Sequence, residues 1–281
     1  FTNCIFMDLV HQKRISVKDP IQMYLPWFSN HKLKIENLLS HTSGMPWWNA
    51  YYKKISLEQP REIRWMQLKE EVAKEKPQVC KKAVYSDLDY FFLGFILQSV
   101  FNSPLIDIWK TTMQGDFHFN IDNQPTYKKS LYAPTEKCPW RKKILQGEVH
   151  DENAWALGGV STHAGLFSTM EALVTYGLNL RSQFYDHPKS LDLFFKKATS
   201  KGDWTLGFMQ PSKEGSSSGE YFSPKSIGHT GFVGTSLWFD PKLDLLVCIL
   251  SNRVHPSRDN RKFVVLRPEI HNAIVRGVLD V

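Results

Sequence analysis

The chain has 281 residues, of which 42% are hydrophobic, and its 35 Lys and Arg against 28 Asp and Glu give a formal net charge of +7. This length and hydrophobic content suffice to bury a core, which excludes disorder as the main state. The longest apolar stretch runs from about Phe91 to Leu97. Because a bilayer span needs ~20 apolar residues, we expect no transmembrane segment.

The first helical pattern is already present at the first residue. Apolar residues recur at the three-to-four spacing of an amphipathic helix from Phe1 to Val10, and neither an initiator Met nor a secretory signal pattern precedes them. One interpretation is that Thr2 or Asn3 caps a helix that begins here. The other is that the chain was cut or processed within, or just before, a helix.

The first two thirds of the chain indicate helices. The predicted helices lie at 35–40, 61–73, 88–100 and 104–113, and one more opens at the capping pattern Ser168-Thr169-Met170-Glu171 and runs to about residue 180. The helix at 88–100 is apolar nearly all round, so we expect it to be buried, with Ser86 or Asp87 as its cap. Residues 114–140 lack periodicity and are predicted to be irregular.

The last quarter of the chain changes to strand patterns. Apolar runs at 204–209, 235–239 and 245–250 predict an antiparallel meander, and the unbroken run at 245–250 predicts a strand covered on both faces. A helix at 268–279 is expected to pack on this sheet. Helices followed by strands indicate the α+β class and a single domain over 1–281, helical over about 1–200, with the sheet and last helix over about 201–281.

The cysteines, the histidines and the basic residues exclude several kinds of site. The four cysteines form no CxxC pair, and no two of the ten histidines have the i, i+4 spacing of a helical metal site, so we predict no metal and no cofactor. The basic residues occur as scattered doublets, which is typical of a solvated surface; an anionic partner such as a cell-wall polymer or nucleic acid is the alternative. Aromatic and basic residues do not interleave, so we predict no nucleic-acid partner.

Three short strings occur in a fixed order. They are Leu38-Leu39-Ser40-His41-Thr42-Ser43-Gly44, then Tyr85-Ser86-Asp87, then Gly228-His229-Thr230-Gly231. With these strings the chain resembles the serine β-lactamase and penicillin-binding protein superfamily, in its class C, D-aminopeptidase and esterase-like branch. Three further stretches, at 149–160, 163–169 and 251–256, resemble the same branch, so the resemblance covers essentially the whole chain.

The resemblance implies a fold and a chemistry. The fold is an antiparallel sheet flanked by helices, with a helical subdomain, and the chemistry is acyl transfer from an amide or ester to a serine. The substrate class is a small molecule, either a D-amino peptide derived from peptidoglycan or a small ester. The implied location is the cell envelope, either periplasmic or secreted.

The resemblance also assigns roles to individual residues. Tyr85 matches a tyrosine that acts as general base or proton relay, and His229 matches a position that relays a proton or steadies the oxyanion. The backbone N–H of Phe232 is expected to form half of the oxyanion hole. Thr230 and Gly231 are expected to line the strand along which substrate lies.

Other candidate residues carry open alternatives. Asp87 stands where the family usually has Asn; it either holds a lysine ammonium in the site or simply caps the helix that follows. His150 and Asp151, and likewise His163, are expected near the substrate pocket, with loop structure as the alternative. His41 is expected in a structural turn and not in catalysis.

The nucleophile of the family is not found at the expected place in this sequence. The family carries Ser-x-x-Lys at a helix start, and the only match here, Ser29-Asn30-His31-Lys32, lies in a polar segment. By the resemblance, the lysine and serine stand ~2 and ~5 residues before Phe1, and the first strands of the sheet also precede Phe1, so the N-terminal part of the fold is expected to be missing. The alternative is a catalytically inactive relative that binds cell-wall fragments.

Overall fold

Nine α-helices and seven short strands occur in residues 1–113 and 115–279, the part of the chain that this computed structural model describes. The helices are α1 (Thr2–His11), α2 (Ile35–Leu39), α3 (Arg61–Val72), α4 (Asp87–Phe101), α5 (Leu105–Thr112), α6 (Glu152–Ala156), α7 (Met170–Asp186), α8 (Asp192–Phe195) and α9 (Lys262–Leu279). The strands are β1 (Phe117–Phe119), β2 (Lys137–Cys138), β3 (Lys143–Ile144), β4 (Leu166–Ser168), β5 (Ile227–Thr230), β6 (Ser236–Asp240) and β7 (Leu245–Ile249).

Helix α1 begins without a side-chain cap. Its first flanking residue is Phe1, and no side chain accepts a hydrogen bond from the first turn. The Thr2 hydroxyl donates instead to the carbonyl of Thr162, and the Asn3 amide donates to the carbonyl of Gly207. The interpretation that Thr2 or Asn3 caps this helix is therefore wrong, because both side chains are used to fasten α1 to distant loops.

Helix α4 forms the centre of the helical part. The Ser86 hydroxyl accepts a hydrogen bond from the Leu88 N–H at 3.1 Å, which caps the helix, and every residue from Leu88 to Leu97 is buried. The prediction of a buried helix here is confirmed. Together α4 and α5 have the length and composition of a membrane span but are bent by 77°, and no single helix within the described ranges is long and apolar enough for one.

The three-stranded sheet β5-β6-β7 is an antiparallel meander between two helical layers. Strand side chains alternate between faces, so Trp238 points towards α9 and packs with Val247 and Val275. Phe239 points to the other face and joins the core formed by the first two thirds of the chain. The α+β class predicted from the sequence is confirmed.

Two predicted features of this sheet are wrong. Residues 204–209 do not form a strand of the sheet: Trp204 and Met209 share one isolated bridge, and the third strand is Ile227–Thr230 instead. In β7 only Val247 is buried, whereas the prediction was for a strand covered on both faces. The reason is that β7 pairs only with β6 in the described sheet, so its side chains lie at an edge.

Two other predicted boundaries change. The stretch 114–140 is not irregular throughout, because β1 pairs antiparallel with β4, placing His118 opposite Phe167, and β2 pairs with β3. The last helix begins at Lys262 and not at Pro268, which lies inside it. A proline removes one backbone donor from a helix, so a sequence pattern tends to place the helix start there.

Gly159 sets the path of the loop that carries Ser161 and His163. Its φ is +80°, and a Cβ there would lie 2.6 Å from the Asn120 carbonyl oxygen. We expect Gly159→Ala to lower the free energy of unfolding by at least the ~1–2 kcal/mol that a left-handed L-residue costs. Urea unfolding checks this, with Gly277→Ala in α9 as the control, because a Cβ on Gly277 meets nothing within 4 Å. Equal losses in the two variants would contradict the interpretation.

Candidate active site

The turn before α4 places Tyr85 and Asp87 side by side. The Ser86 hydroxyl donates to the Pro46 carbonyl at 2.6 Å while it caps α4, which holds this turn in place. The Tyr85 hydroxyl donates to Oδ1 of Asp87 at 2.7 Å. Tyr85 is 39% exposed as a whole, but the surroundings of its hydroxyl remove enough water to raise its pKa well above the usual value, and the neighbouring Asp87 raises that pKa further. Forming the phenolate is therefore harder here than in a free tyrosine.

His229 lies on β5 and faces Tyr85. The ring centroids of His229 and Tyr85 are 6.3 Å apart, and Trp204 contacts both rings, at 5.4 and 6.0 Å. The sequence reasoning did not identify Trp204 as a site residue; its place in an aromatic run suggested only a strand.

The protonation state of His229 follows from its surroundings. Its Nδ1 is 2.8 Å from the Thr230 carbonyl oxygen, which assigns the proton to Nδ1 and leaves Nε2 with a lone pair. Burial lowers the pKa of His229 to about 4; the hydrogen bond to the Thr230 carbonyl opposes this effect, and His41 adds a smaller lowering. The imidazole is therefore neutral at pH 7 and able to accept a proton.

The turn after β5 carries Phe232, the predicted oxyanion-hole residue, three positions after His229. Thr230 is the last residue of β5 and lies opposite Ser236, and the Gly231 N–H donates to the Thr235 carbonyl at 2.7 Å. Phe232 follows and is 59% exposed.

Two side chains hold Phe232 from different directions. The His150 ring stacks on the Phe232 ring at 5.6 Å, and the Arg253 guanidinium lies 4.7 Å from the same ring centroid. The Arg253 Nε also donates to the Phe232 carbonyl at 2.8 Å. His150 thus reaches the site through Phe232, and this contact fixes the turn that carries the Phe232 N–H.

Asp151 and His163 form a charged pair on the other side of Asp87. Oδ1 of Asp151 is 3.0 Å from Nε2 of His163 and also accepts the Ala154 N–H at 2.7 Å, so Asp151 caps α6. Burial acts to raise the pKa of Asp151, but the charge and hydrogen bond of His163 outweigh it, and the pKa is lowered. Asp87, Asp151 and His163 each place one polar atom within 4.8 Å of the others.

A second group of charged side chains, formed by Arg258, Glu136 and Glu152, lies next to His150. The Arg258 Nε–H is shared between the two Glu136 carboxylate oxygens, at 2.7 and 2.9 Å. Its Nη2 donates to Glu136 and to Glu152, each at 2.6 Å. His150 lies 3.2 Å from Glu136 as well. Glu136, Cys138 and Glu152 are close enough to offer metal ligands, but Arg258 is already bound to the two carboxylates.

Two other residues singled out from the sequence lie in structural positions. His41 is fully buried, with Nδ1 2.8 Å from Asp89, and its φ of +55° places it in a turn. The ring centroid of His41 is 4.9 Å from that of Tyr85, so His41 packs against Tyr85 from the buried side. Ser29 and Lys32 are exposed in a turn and do not begin a helix.

The site residues predicted from the sequence therefore lie together. Tyr85 contacts Asp87 and faces His229; Thr230, Gly231 and Phe232 follow His229 at the end of β5, with His150 on the Phe232 ring; Asp151 has a carboxylate oxygen within 4.8 Å of one on Asp87. These residues define the candidate cleft. Local spacing in the sequence predicts no metal site. The carboxylate and imidazole groups of Asp87, Asp151 and His163 nevertheless meet, because folding joins positions that are 64 residues (87 to 151) and 12 residues (151 to 163) apart along the chain. Their catalytic roles stay predictions.

Comparisons with known proteins concern the family and the fold. The sequence model of the family described as Beta-lactamase matches residues 1–267. A protein of Salmonella gallinarum named "Putative D-alanyl-D-alanine carboxypeptidase" is 29% identical over 319 aligned positions, which cover 99% of this chain and 71% of that protein.

Two solved structures have the same fold. Simvastatin synthase (LovD) from Aspergillus terreus superposes with a TM-score of 0.66 at 14% identity, covering 98% of this chain and 81% of that one. EstA from Arthrobacter nitroguajacolicus superposes with a TM-score of 0.65 at 13% identity, covering 98% and 82%. At these identities the superpositions establish the fold alone.

Proposed function

The chain belongs to the β-lactamase family and is a hydrolase of that family, and on this basis we propose that it cleaves the amide bond of a D-amino peptide derived from peptidoglycan, through an acyl-enzyme on a serine. The observation that carries the proposal is the meeting of Tyr85 and His229, 144 positions apart, with ring centroids 6.3 Å apart. Asp87 and the Phe232 turn lie around the same cleft.

Each of these groups has a place in acyl transfer. A serine hydroxyl attacks the substrate carbonyl, and the N–H of Phe232 donates to the oxygen that becomes negative. Tyr85 moves the proton between the serine and the departing amine, and the free lone pair of Nε2 on His229 accepts a hydrogen bond or a proton beside it. Water then attacks the acyl-enzyme by the reverse proton path.

We propose that the serine and its lysine precede Phe1. The Ser29-x-x-Lys32 match is exposed and does not begin a helix, unlike the motif of the family. The start of α1 lies close to these groups: the Tyr90 hydroxyl donates to Asn3 at 2.8 Å, the Tyr90 ring is 5.6 Å from that of His41, and the His41 ring is 4.9 Å from that of Tyr85. A lysine there would also counter the raised pKa of Tyr85, since a nearby cation favours the phenolate.

His229 favours some substrates over others. A neutral imidazole offers no positive charge to a substrate carboxylate, whereas a lysine at this strand position would. We therefore propose slow turnover of β-lactams, which carry that carboxylate, relative to D-amino peptides whose terminal carboxylate is amidated. A peptidoglycan substrate also places the protein in the cell envelope, in the periplasm or secreted.

A fluorescent fluorophosphonate tests the serine. We expect stoichiometric labelling of the full-length protein, slower labelling by a fluorescent penicillin, and an adduct that maps before Phe1. Ser29→Ala is the matched control and should label like the parent. The rate of D-alanine release from diacetyl-L-Lys-D-Ala-D-Ala, beside that of p-nitrophenol from p-nitrophenyl butyrate, then decides between peptide and ester.

The outcomes separate the proposal from its alternative. Labelling by neither probe, together with saturable binding of muropeptides, would establish an inactive relative that binds cell-wall fragments. An adduct on Ser29 would contradict the proposed position of the nucleophile.

A further inference from the structure

The pair formed by Asp151 and His163 lies directly behind the groups of the cleft. The His163 side chain is 2% exposed, and both of its ring nitrogens have partners: Nε2 lies 3.0 Å from Oδ1 of Asp151 and Nδ1 lies 2.8 Å from the Ser161 hydroxyl. The backbone N–H of Ala154 donates to the same Asp151 oxygen. The ring is therefore held in one orientation by hydrogen bonds on both sides.

A short series of contacts joins this pair to the phenol. Polar atoms of His163, Asp151 and Asp87 all lie within 4.8 Å of one another, and Asp87 accepts the Tyr85 hydroxyl at 2.7 Å. His163 thus lies within 4.8 Å of the carboxylate group that accepts the Tyr85 hydroxyl. At such a distance, a positive charge on His163 lowers the pKa of Asp87 by about one unit or more.

The charges in this group require a cation. Two carboxylates at this separation repel each other, which favours protonation of one of them unless a positive charge lies between. Burial acts to lower the pKa of His163, but Asp151, by charge and hydrogen bond, and then Asp87 outweigh it, so the pKa is raised. Burial raises the pKa of Asp87, and His163 is the largest influence that opposes it.

We propose that His163, held by Asp151, is a positioning residue that keeps Asp87 ionised and thereby keeps the Tyr85 hydroxyl directed at Asp87 beside the cleft. The role rests on the proposed function, in which Tyr85 transfers the proton. Without the imidazolium, Asp87 takes up a proton at higher pH, and a protonated carboxyl no longer accepts the phenol's hydrogen bond with a full charge.

Other titratable groups also face Asp87 and Tyr85. His41, at the end of α2, acts to lower the pKa of Asp87, and Tyr90 on α4 acts to raise that of Tyr85. Asp89 on α4 is paired with His41, and His229 on β5 is neutral above about pH 5, since its pKa is about 4. Among the described residues, His163 is the group with a polar atom within 4.8 Å of both Asp87 and Asp151, so its loss of charge removes the nearby positive charge that these residues supply.

The same three residues would also suit a divalent metal ion, and the contacts favour the ion pair. Both nitrogens of His163 already have hydrogen-bond partners, and Oδ1 of Asp151 already accepts two hydrogen bonds. A metal ion would have to displace the proton that joins His163 to Asp151. Zinc binding is therefore an outcome that would overturn the proposal.

The coupling between Asp87 and His163 is measured by NMR titration of the imidazole in the full-length protein, with His163→Gln to assign the signal. Because linkage is reciprocal, the Asp87 charge that His163 stabilises must stabilise the imidazolium in return. We expect the His163 midpoint to fall by about one pH unit in Asp87→Asn and by more in Asp151→Asn. The control is Asp192→Asn, which removes the carboxylate 3.0 Å from the ring of His187, in a pair outside the cluster. An unchanged His163 midpoint in Asp87→Asn would overturn the proposal.

The pH dependence of kcat/KM for D-amino peptide hydrolysis supplies the second measurement. His163→Gln should move the acid limb to higher pH by about one unit, because Asp87 then protonates earlier. Asp151→Asn/His163→Gln removes both charges and should return the limb towards that of the parent. A uniform loss of rate with no movement of the limb would indicate a merely structural role and refute the proposal.

Failure of the proposed function and failure of the ion-pair proposal give different results. A parent protein that reacts with neither fluorophosphonate nor substrate removes the proposed function, while the NMR midpoints still decide whether Asp87 and His163 are coupled. One zinc ion per chain in equilibrium dialysis of the parent, lost in His163→Gln, would replace the ion pair with a metal site.

Discussion

Replacing Tyr85 with Phe is expected to lower kcat/KM for D-amino peptide hydrolysis by about 10²–10⁴-fold, the usual contribution of a positioned proton-transfer group. The substitution removes the phenol oxygen and with it the hydrogen bond to Asp87. The ring keeps its contacts with His41, Trp204 and His229, so the folded structure should persist. Steady-state kinetics and fluorophosphonate labelling rates measure the loss, and thermal unfolding checks the fold.

Tyr24→Phe is the matched control for this prediction. The Tyr24 hydroxyl donates to Asp19 at 2.6 Å, a phenol–carboxylate contact like that of Tyr85, but outside the cleft. It should leave kcat/KM unchanged. If Tyr85→Phe retained activity within about threefold of the parent, the proton path through Tyr85 would be wrong, because a group that transfers the proton contributes far more.

Arg258→Met should lower the free energy of unfolding at pH 7 by about 3 kcal/mol, the low end of the cost of breaking a buried ion pair. The Glu136 side chain is only 5% exposed, and Arg258 supplies its strongest hydrogen bonds. The cost stays at the low end because the Arg258 side chain is 32% exposed, so that water can partly solvate the Glu136 carboxylate when the guanidinium is removed. Urea unfolding measures the difference.

The pH dependence of this loss has a definite sign. In the parent, burial acts to raise the pKa of Glu136, but Arg258 outweighs it, so the pKa is lowered and the pair stabilises the fold above the usual Glu pKa. In the variant, burial dominates and the Glu136 pKa rises. The difference between parent and variant should therefore shrink as pH falls below the raised pKa of the variant. His150, freed from the charge of Arg258, also protonates more readily and partly replaces it.

Arg181→Met provides the comparison. Arg181 donates two hydrogen bonds to Asp244, but both side chains are exposed, 38% and 49%, so water competes with the pair. Little change is expected from this variant. Equal losses from the two arginine variants would show that burial of Glu136 is not the cause.

The helices could be predicted from the sequence because their signals are local. The apolar residues of 88–100 and the serine before them define α4, its burial and its cap within some 15 positions. Apart from two helix starts, those of α1 and α9, the failures of prediction are in the strands. Residues 204–209 have strand-forming residue types but bend back on themselves, and β7 has an apolar sequence although it lies at an edge. Pairing between strands depends on distant partners, which local patterns do not contain.

Much of the candidate site could be predicted from the order of short strings. Tyr85, Asp87, His229 and Phe232 were identified by resemblance, and the structure brings them to one cleft. Trp204 was missed, because an isolated tryptophan in an apolar run has no signal that separates a site residue from a core residue. His163 was recognised only as a pocket candidate; its partner Asp151 lies 12 residues away, on a different element.

By itself, the sequence determined the α+β class, the helical first part, the family resemblance and the residue types available for acyl transfer, because composition, periodicity and short motifs are written into consecutive residues. Only the tertiary structure decided which charges meet. The lowered pKa of His229 and the raised pKa values of Tyr85 and His163 follow from burial and from partners brought within a few ångströms by packing. Electrostatic energies depend on those distances and on the exclusion of water, and neither quantity exists until the chain is folded.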